Sequence, residues 1–91
     1  MPERAGGFFI GEVKKVNEWP AIDLAATGQN IEKLRQTTGL TVRELQNIFG
    51  FSSPQAIYKW QRGESMPTID NLIILSAVFN VEIGKIIIYS K

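Results

Sequence analysis

The chain has 91 residues, of which 44% are hydrophobic and 21% charged, so it is long enough for one globular domain with a small core. It contains neither cysteine nor histidine, which excludes disulfides, the usual ligands of zinc, a histidine general base and a Ser-His-Asp triad. The formal net charge is only +1, which is weak for a nucleic-acid-binding protein, and no apolar run approaches the ~18 residues of a membrane span.

The first 28 residues are interpreted as an irregular extension. The stretch GFFIGEVKKV favours a short strand through its phenylalanine, isoleucine and valine residues, although its glycines disfavour one. Trp19 precedes Pro20, which favours an extended or turning backbone there. This extension carries three cations and four acids, whereas residues 29–91 carry seven cations and five acids, so the second segment is the more basic.

Two short helices are predicted next, each ended by a glycine. The first covers residues 29–37 and stops before Gly39. The second begins at Thr41, which has the spacing to form a capping box with Glu44, and it ends about eight residues later at Gly50.

A third helix is predicted over residues 53–61. Ser53 can cap its start, and Pro54 then occupies the first helical position, where the missing N–H of proline costs nothing. Gly63 follows the helix as a stop signal.

The fourth helix begins after Pro67 and Thr68 with IDNLIILSAVFN, and Asn80 is a plausible left-handed cap. Because this segment is apolar on nearly every side, we expect it at the buried centre of the domain. The last segment, EIGKIIIYS, is compatible with a short helix or a strand, and its context favours a fifth helix.

The third helix has two faces of different character. On a wheel with 100° per residue, its polar side chains share an arc of about 100°: Gln55, Tyr58, Lys59 and Arg62. Its apolar side chains lie opposite: Ala56, Ile57 and Trp60. Amides and cations on one face suit the major groove of DNA, where glutamine pairs with adenine and lysine with guanine. Polar outer faces are common on surface helices, so this face alone does not decide the function.

Several further stretches favour DNA binding over an ordinary solvent-exposed helix: KLRQTTGLT, RELQNIFG, AIYKWQRG, MPTIDNLIILSAVFNV and EIGKII. Together they make residues 29–88 resemble the phage-repressor and Cro-like family of helix-turn-helix proteins, the XRE type. The resemblance implies an all-α, five-helix lambda-repressor-like domain over residues 29–91 that binds double-stranded DNA. Residues 1–28 lie outside it as an extension that contacts DNA, covers the core or forms a dimer contact.

The resemblance also implies the contacts. The recognition helix is residues 53–61, with base edges touched by Gln55 and Lys59 and with Ser53 at its leading tip. The position of Tyr58 and Arg62 on the polar face adds a base contact and a phosphate contact, respectively. The other phosphate contacts implied are those of the first and second helices: Arg35, Thr41, Val42 and Arg43.

Three departures from the family pattern bear on these contacts. The acid that frequently pairs with the position of Arg35 is replaced by Gln61, so either a neutral hydrogen bond takes its place or Arg35 is freer to reach DNA. Val42 stands where glutamine is frequent, which removes one side-chain contact. The turn GFSSPQ is one residue longer than the usual family turn, which affects the register of the recognition tip.

The expected core combines apolar residues of all four helices: Leu34, Leu45, Ile48, Ile57, Trp60, Leu72 and Leu75. Trp60 is expected to pack inward, because it faces away from the polar side chains. The apolar KIIIY near the end of the chain is expected to complete the core, with a dimer seam as the alternative.

The function expected from these residues is sequence-specific DNA binding and transcriptional regulation, most simply repression by occupying a promoter. One module of charge +1 contacts few phosphates, so we expect a homodimer on a two-fold symmetric site. The alternative is an antitoxin or accessory protein of the same fold that acts mainly through a protein partner. The residues offer no catalytic constellation, so we expect no enzyme, cofactor or metal site. The absence of cysteine and of a signal-peptide pattern favours the cytoplasm.

Overall fold

The computed structural model describes residues 19–90, and the stretch GFFIGEVKKV lies outside them. The described residues form four α-helices, one turn of 3-10 helix and a small two-stranded sheet, so the predicted all-α class is confirmed. In chain order the elements are β1 (Ala21–Ile22), α1 (Leu24–Thr38), α2 (Val42–Phe49), α3 (Gln55–Gln61), α4 (Ile69–Phe79), the 3-10 turn (Ile83–Lys85) and β2 (Tyr89–Ser90). The predicted fifth helix is therefore a single 3-10 turn followed by a strand.

Helix α1 begins five residues before the predicted start at residue 29. Asp23 caps it, because its carboxylate accepts a hydrogen bond from the backbone N–H of Ala26 at 2.9 Å. The helix ends at Gly39, whose φ of 85° is the left-handed conformation that favours glycine. Since α1 crosses positions 28 and 29, the residues just before position 29 belong to the helical fold.

Helices α2 and α4 have the predicted caps. Thr41 and Glu44 form the reciprocal capping box at the start of α2. The Thr68 hydroxyl accepts from the backbone N–H of Asn71 at 3.2 Å at the start of α4, and Asn80 closes that helix with φ 57°. Neighbouring residues therefore provide hydrogen-bond partners for backbone groups at both ends of each helix, as the sequence predicted.

The start of α3 differs from the prediction. The helix begins at Gln55, and Pro54 stands at its N-cap with no side-chain hydrogen bond to the helix. The Ser53 hydroxyl is 3.5 Å from the backbone N–H of Gln55, too long for an effective cap. The range 53–61 is thus corrected to 55–61, because the longer GFSSPQ turn leaves Ser53 and Pro54 in non-helical backbone.

The C-terminal segment is extended because side chains of α1 hold its backbone. The Thr27 hydroxyl accepts from the N–H of Ile88 at 2.9 Å and donates to the carbonyl of the same residue at 3.1 Å. The Asn30 amide donates to the carbonyls of Lys85 and Ile86 at 2.8 and 2.9 Å. These bonds leave residues 89–90 placed to pair antiparallel with β1 instead of continuing as a helix.

The core lies between the four helices and the 3-10 turn. Its buried apolar residues are Ile31, Leu45, Ile57, Trp60, Leu72, Leu75, Phe79 and Ile86. Five of the predicted core residues are confirmed here: Leu45, Ile57, Trp60, Leu72 and Leu75. Leu34 packs against this cluster while partly buried.

Two core predictions were wrong. Ile48 is 49% exposed, because the inward side of α2 extends from Leu45 towards Phe49 and Val42, whereas Ile48 lies beyond Leu45 at the opposite edge of that side. Helix α4 is not buried all round, since Ile69 and Ile73 are 68% and 54% exposed. Apolar composition alone did not reveal which side of α4 faces the core.

The part of the chain that the structure describes has neither a membrane-spanning helix nor a cluster of metal-binding side chains. None of its helices is both long enough and apolar enough to span a membrane. Over the same residues, 19–90, no three acidic side chains gather closely enough to hold a metal ion.

Candidate nucleic-acid interface

Helix α3 is held against α1 by an unusually close backbone approach. Gly28 of α1 is buried and faces the last turn of α3. A Cβ atom at this position would overlap the carbonyl oxygen of Trp60 and lie 2.7 Å from that of Gln61. The two helices can therefore touch backbone to backbone only because residue 28 has no side chain.

Aromatic side chains fix the other side of α3. The rings of Phe49 and Phe51 stack with centroids 5.0 Å apart, and Trp60 meets them edge-on at 5.4 and 6.0 Å. These are the preferred geometries of aromatic pairs. The cluster joins the end of α2, the following turn and α3 into one rigid unit, so the outer face of α3 has a fixed orientation.

The outer face of α3 carries the polar side chains that the wheel predicted. All four are exposed: Gln55, Tyr58, Lys59 and Arg62. The opposite side is inward as predicted, with Ile57 and Trp60 buried and Ala56 half-buried. The amide, the phenol and the two cations are thus offered to solvent by a helix whose apolar side is locked in the core.

A cleft of about 370 Å³ opens beside the start of α3. It brings together three of the predicted base-contacting residues, Ser53, Gln55 and Lys59. Phe51 and Ser65 also line it, and sequence reasoning missed both. No sequence signal marks Ser65, because it reaches the cleft from the loop after α3, whose path depends on the tertiary fold.

The start of α2 presents one exposed cation, Arg43, together with Thr41 and Val42, which already make contacts within the domain. The Thr41 hydroxyl is exposed but accepts from the N–H of Glu44 at 3.0 Å, while the Glu44 carboxylate accepts from the N–H of Thr41 at 2.9 Å. Val42 is half-buried against the core, so only its backbone remains for a contact outside the domain. Arg43 is exposed and is the cation of this turn.

Arg35 is tied into the fold. Its Nε donates to the side-chain oxygen of Gln61 at 3.0 Å, and its Nη1 donates to the carbonyl of Leu40 at 2.6 Å. The sequence left open whether Gln61 replaces the missing acid with a neutral hydrogen-bond acceptor or leaves Arg35 free. In the structure Gln61 accepts a hydrogen bond from Arg35. The guanidinium joins α1, the turn after α1 and the end of α3, and it positions α3 whether or not it also reaches a phosphate.

Arg35→Met is expected to lower the free energy of unfolding by about 1.5–3 kcal/mol, the range for hydrogen bonds to charged groups. Methionine keeps the aliphatic stem but leaves the Leu40 carbonyl and the Gln61 amide without this donor. Urea unfolding measures the change, with Lys33→Met on the exposed side of α1 as the control. Equal stability of both variants would show that the three-way contact does not hold α3.

Arg62 forms an ion pair at the end of α3. Its Nε donates to a Glu64 carboxylate oxygen at 2.6 Å and its Nη2 to the other at 3.3 Å, while both side chains stay about half exposed. The hydrogen bond from Arg62 lowers the pKa of the Glu64 carboxyl and raises the pKa of Arg62. A phosphate contact by Arg62 would therefore have to compete with Glu64, and that contact stays a prediction.

Comparisons with known proteins give a family and a structural neighbour. A helix-turn-helix family model matches residues 31–86. The restriction-modification controller protein C.AhdI from Aeromonas hydrophila has a similar solved structure, with a TM-score of 0.62 and 23% sequence identity. That likeness covers 70% of this chain and 96% of the controller protein, and it supports the fold. No curated protein matches the sequence.

Proposed function

Because this chain belongs to the helix-turn-helix family of DNA-binding regulators, we propose that α3 is the recognition helix that reads base edges in the major groove. The observation that carries the proposal is the division of α3 into two sides. Gln55 and Lys59 are exposed, whereas Ile57 and Trp60 are fixed in the core. Side chains on a helix held in this way can approach base edges with little further ordering.

Each predicted contact has a distinct chemical role in this proposal. Gln55 offers an amide that suits adenine, and Lys59 offers donors that suit the acceptors of guanine. Tyr58 lies beside them on the exposed side of α3, and Ser53 lies in the preceding turn at the cleft. We propose these four residues as the base-contacting set.

Phosphate contacts would set the register of α3 in the groove. We propose that the start of α2 supplies them through the Arg43 side chain and the backbone at Thr41 and Val42. Arg35 on α1 and Arg62 at the end of α3 are already bonded within the domain. Their contribution to phosphate binding would therefore be smaller than that of Arg43.

The regulatory action we propose is repression, for which a non-enzymatic DNA-binding protein needs only to occupy a promoter. A single module with a net charge of +1 gains little sequence-independent attraction to DNA. We therefore propose a homodimer that places two copies of α3 on half-sites roughly 34 Å apart. A cytoplasmic location is proposed from the same function.

Selection of bound sequences from a random pool of double-stranded DNA tests this function. The expected result is one enriched motif with two-fold symmetry. Recovery of no motif, with no measurable affinity for any duplex at low salt, would contradict DNA recognition. It would instead favour the accessory or antitoxin alternative, in which the main partner is a protein.

Lys59→Ala and Arg43→Ala should have different effects on this selected site. Lys59→Ala is expected to cost about 1–3 kcal/mol of binding and to relax the preference at one base position, since it removes a base contact. Arg43→Ala is expected to weaken binding to all sequences equally and to reduce the salt slope by about one, since it removes a phosphate contact. Titrations against matched and mismatched duplexes at several salt concentrations measure both. If both variants weaken binding uniformly, the assignment of base recognition to α3 is wrong.

A further inference from the structure

Helix α4 has an exposed apolar side opposite its buried one. Leu72, Leu75 and Phe79 face the core. On the other side, Ile69 and Ile73 are 68% and 54% exposed. Ala77 is exposed as well and continues the same line, because residues four apart stack along a helix. Single exposed apolar residues are ordinary, but a row of this kind is typical of an interaction site.

We propose that the α4 ridge, defined as Ile69, Ile73 and Ala77, is the surface on which a second copy of this chain docks. The inference rests on the homodimer proposed above and specifies its interface. The occupant is another copy, and not a different protein, because the ridge is complementary to itself.

The self-complementarity follows from the order of large and small side chains. In an antiparallel pair of α4 helices with the two-fold axis at Ile73, residues four before and four after the axis face each other. Ile69 therefore lies opposite Ala77 of the partner subunit, and a large side chain meets a small one at both ends. Such alternation allows two helices to pack at the usual interaxial distance of about 8–10 Å.

The charges around the ridge also permit this pairing. No ridge residue is ionisable, and Asp70 is the acid beside it on α4. The same two-fold axis relates position 70 of one copy to the height of position 76 of the other, so the two Asp70 residues lie about 9 Å apart along the helix axes. Two carboxylates at this distance in solvent repel each other only weakly.

The size of the ridge predicts a weak dimer. Three side chains on one helix cover much less than the about 800 Å² per partner of a standard stable interface. We therefore expect a reversible monomer–dimer equilibrium of the free protein that shifts towards the dimer on a two-fold DNA site. Binding of one copy beside another raises their effective concentration.

Ile73→Glu tests the interface, because it sets two carboxylates against each other at the two-fold axis. Sedimentation of the full chain is expected to show a dimer dissociation constant raised at least about tenfold, since like charges in direct contact are strongly unfavourable. Ile22→Glu is the matched control, as Ile22 is 50% exposed and lies on β1. This control is expected to leave the dissociation constant unchanged.

Mixing Ile73→Glu with Ile73→Lys gives a test that a folding defect cannot imitate. Each variant alone is expected to be monomeric, whereas their equimolar mixture is expected to recover the dimer mass through an ion pair at the axis. Ile69→Glu, at the end of the ridge, is a second variant expected to weaken the dimer, and circular dichroism confirms that each variant is folded. Failure of the mixture to associate would overturn the axis at Ile73.

Three further results would contradict the proposed interface or the dimer itself. A wild-type chain that stays monomeric with and without a two-fold DNA site overturns the interface and the dimer. An unchanged dimer mass of Ile73→Glu would overturn the α4 ridge as the interface. Weakening by Ile22→Glu instead of Ile73→Glu would move the interface to the small sheet. Binding of Ile73→Glu to a single half-site is measured separately, so a failed interface is distinguished from failed DNA recognition.

Discussion

Trp60→Ala is expected to lower the free energy of unfolding by about 3–5 kcal/mol, the range for truncating a buried tryptophan. Trp60 is 4% exposed and meets the rings of Phe49 and Phe51 edge-on. Its removal leaves a cavity where α2, the turn after it and α3 meet. A domain of this size has a total stability of only about 5–15 kcal/mol, so the variant should be partly unfolded at 37 °C.

Tyr58→Ala is the matched control for this variant, because it truncates an aromatic residue on the opposite side of the same helix. Tyr58 is 42% exposed and lies in the polar face, so its removal is expected to change stability by less than about 0.5 kcal/mol. Urea unfolding compares the two variants, and DNA titration follows for those that fold. Comparable destabilisation by both substitutions would mean that α3 is not anchored through Trp60.

These two residues show which features of the fold the sequence predicts well. Spacing along α3 placed Trp60 inward and Tyr58 outward, because both positions follow from the period of a helix. The capping box of Thr41 and the left-handed cap at Asn80 were also predicted, since a cap is a local interaction of neighbouring residues. Local chemistry therefore predicted three of the four helices to within a few residues.

The predictions from sequence were wrong where contacts between distant residues determine the structure. Thr27 gives no signal for extended backbone 61 residues later, yet its hydroxyl holds the backbone of Ile88, just before the second strand. The start of α1 was missed because Asp23 lies before a segment whose helical spacing is weak. The exposed side of α4 was missed because apolar residues occur on nearly every side of this helix, and only the packing of the other helices selects the side that is buried.

The candidate site was predictable to a similar degree. The exposure of Gln55 and Lys59 follows from the wheel, whereas Ser65 reaches the cleft through the path of a loop. The role of Arg35 was left open between two possibilities, and the decision depended on the separation of α1 and α3. That separation is set by residue 28, which no motif singled out.

Gly28→Ala is expected to destabilise the fold by about 1–3 kcal/mol, the range for overpacking, even though alanine is the better helix former by about 1 kcal/mol. The added methyl group would overlap the Trp60 carbonyl oxygen and crowd that of Gln61 at 2.7 Å. Both atoms belong to backbone, so no rotamer change relieves the contact, and α3 must move away from α1. The hydrogen bond from Arg35 to Gln61 would lengthen with this movement.

Gly84→Ala is the control, because nothing lies within 4 Å of a Cβ atom at that position and its backbone does not require glycine. It is expected to leave the urea midpoint nearly unchanged, whereas Gly28→Ala lowers it. Gly28→Ala should also bind the selected DNA site more weakly than Gly84→Ala does, at temperatures where both variants are folded. The reason is that base contacts require a fixed orientation of α3, which Gly28→Ala displaces. If Gly28→Ala proves as stable as the unmodified chain, the two backbones are not in contact, and the positioning of α3 depends on the aromatic cluster and Arg35 alone.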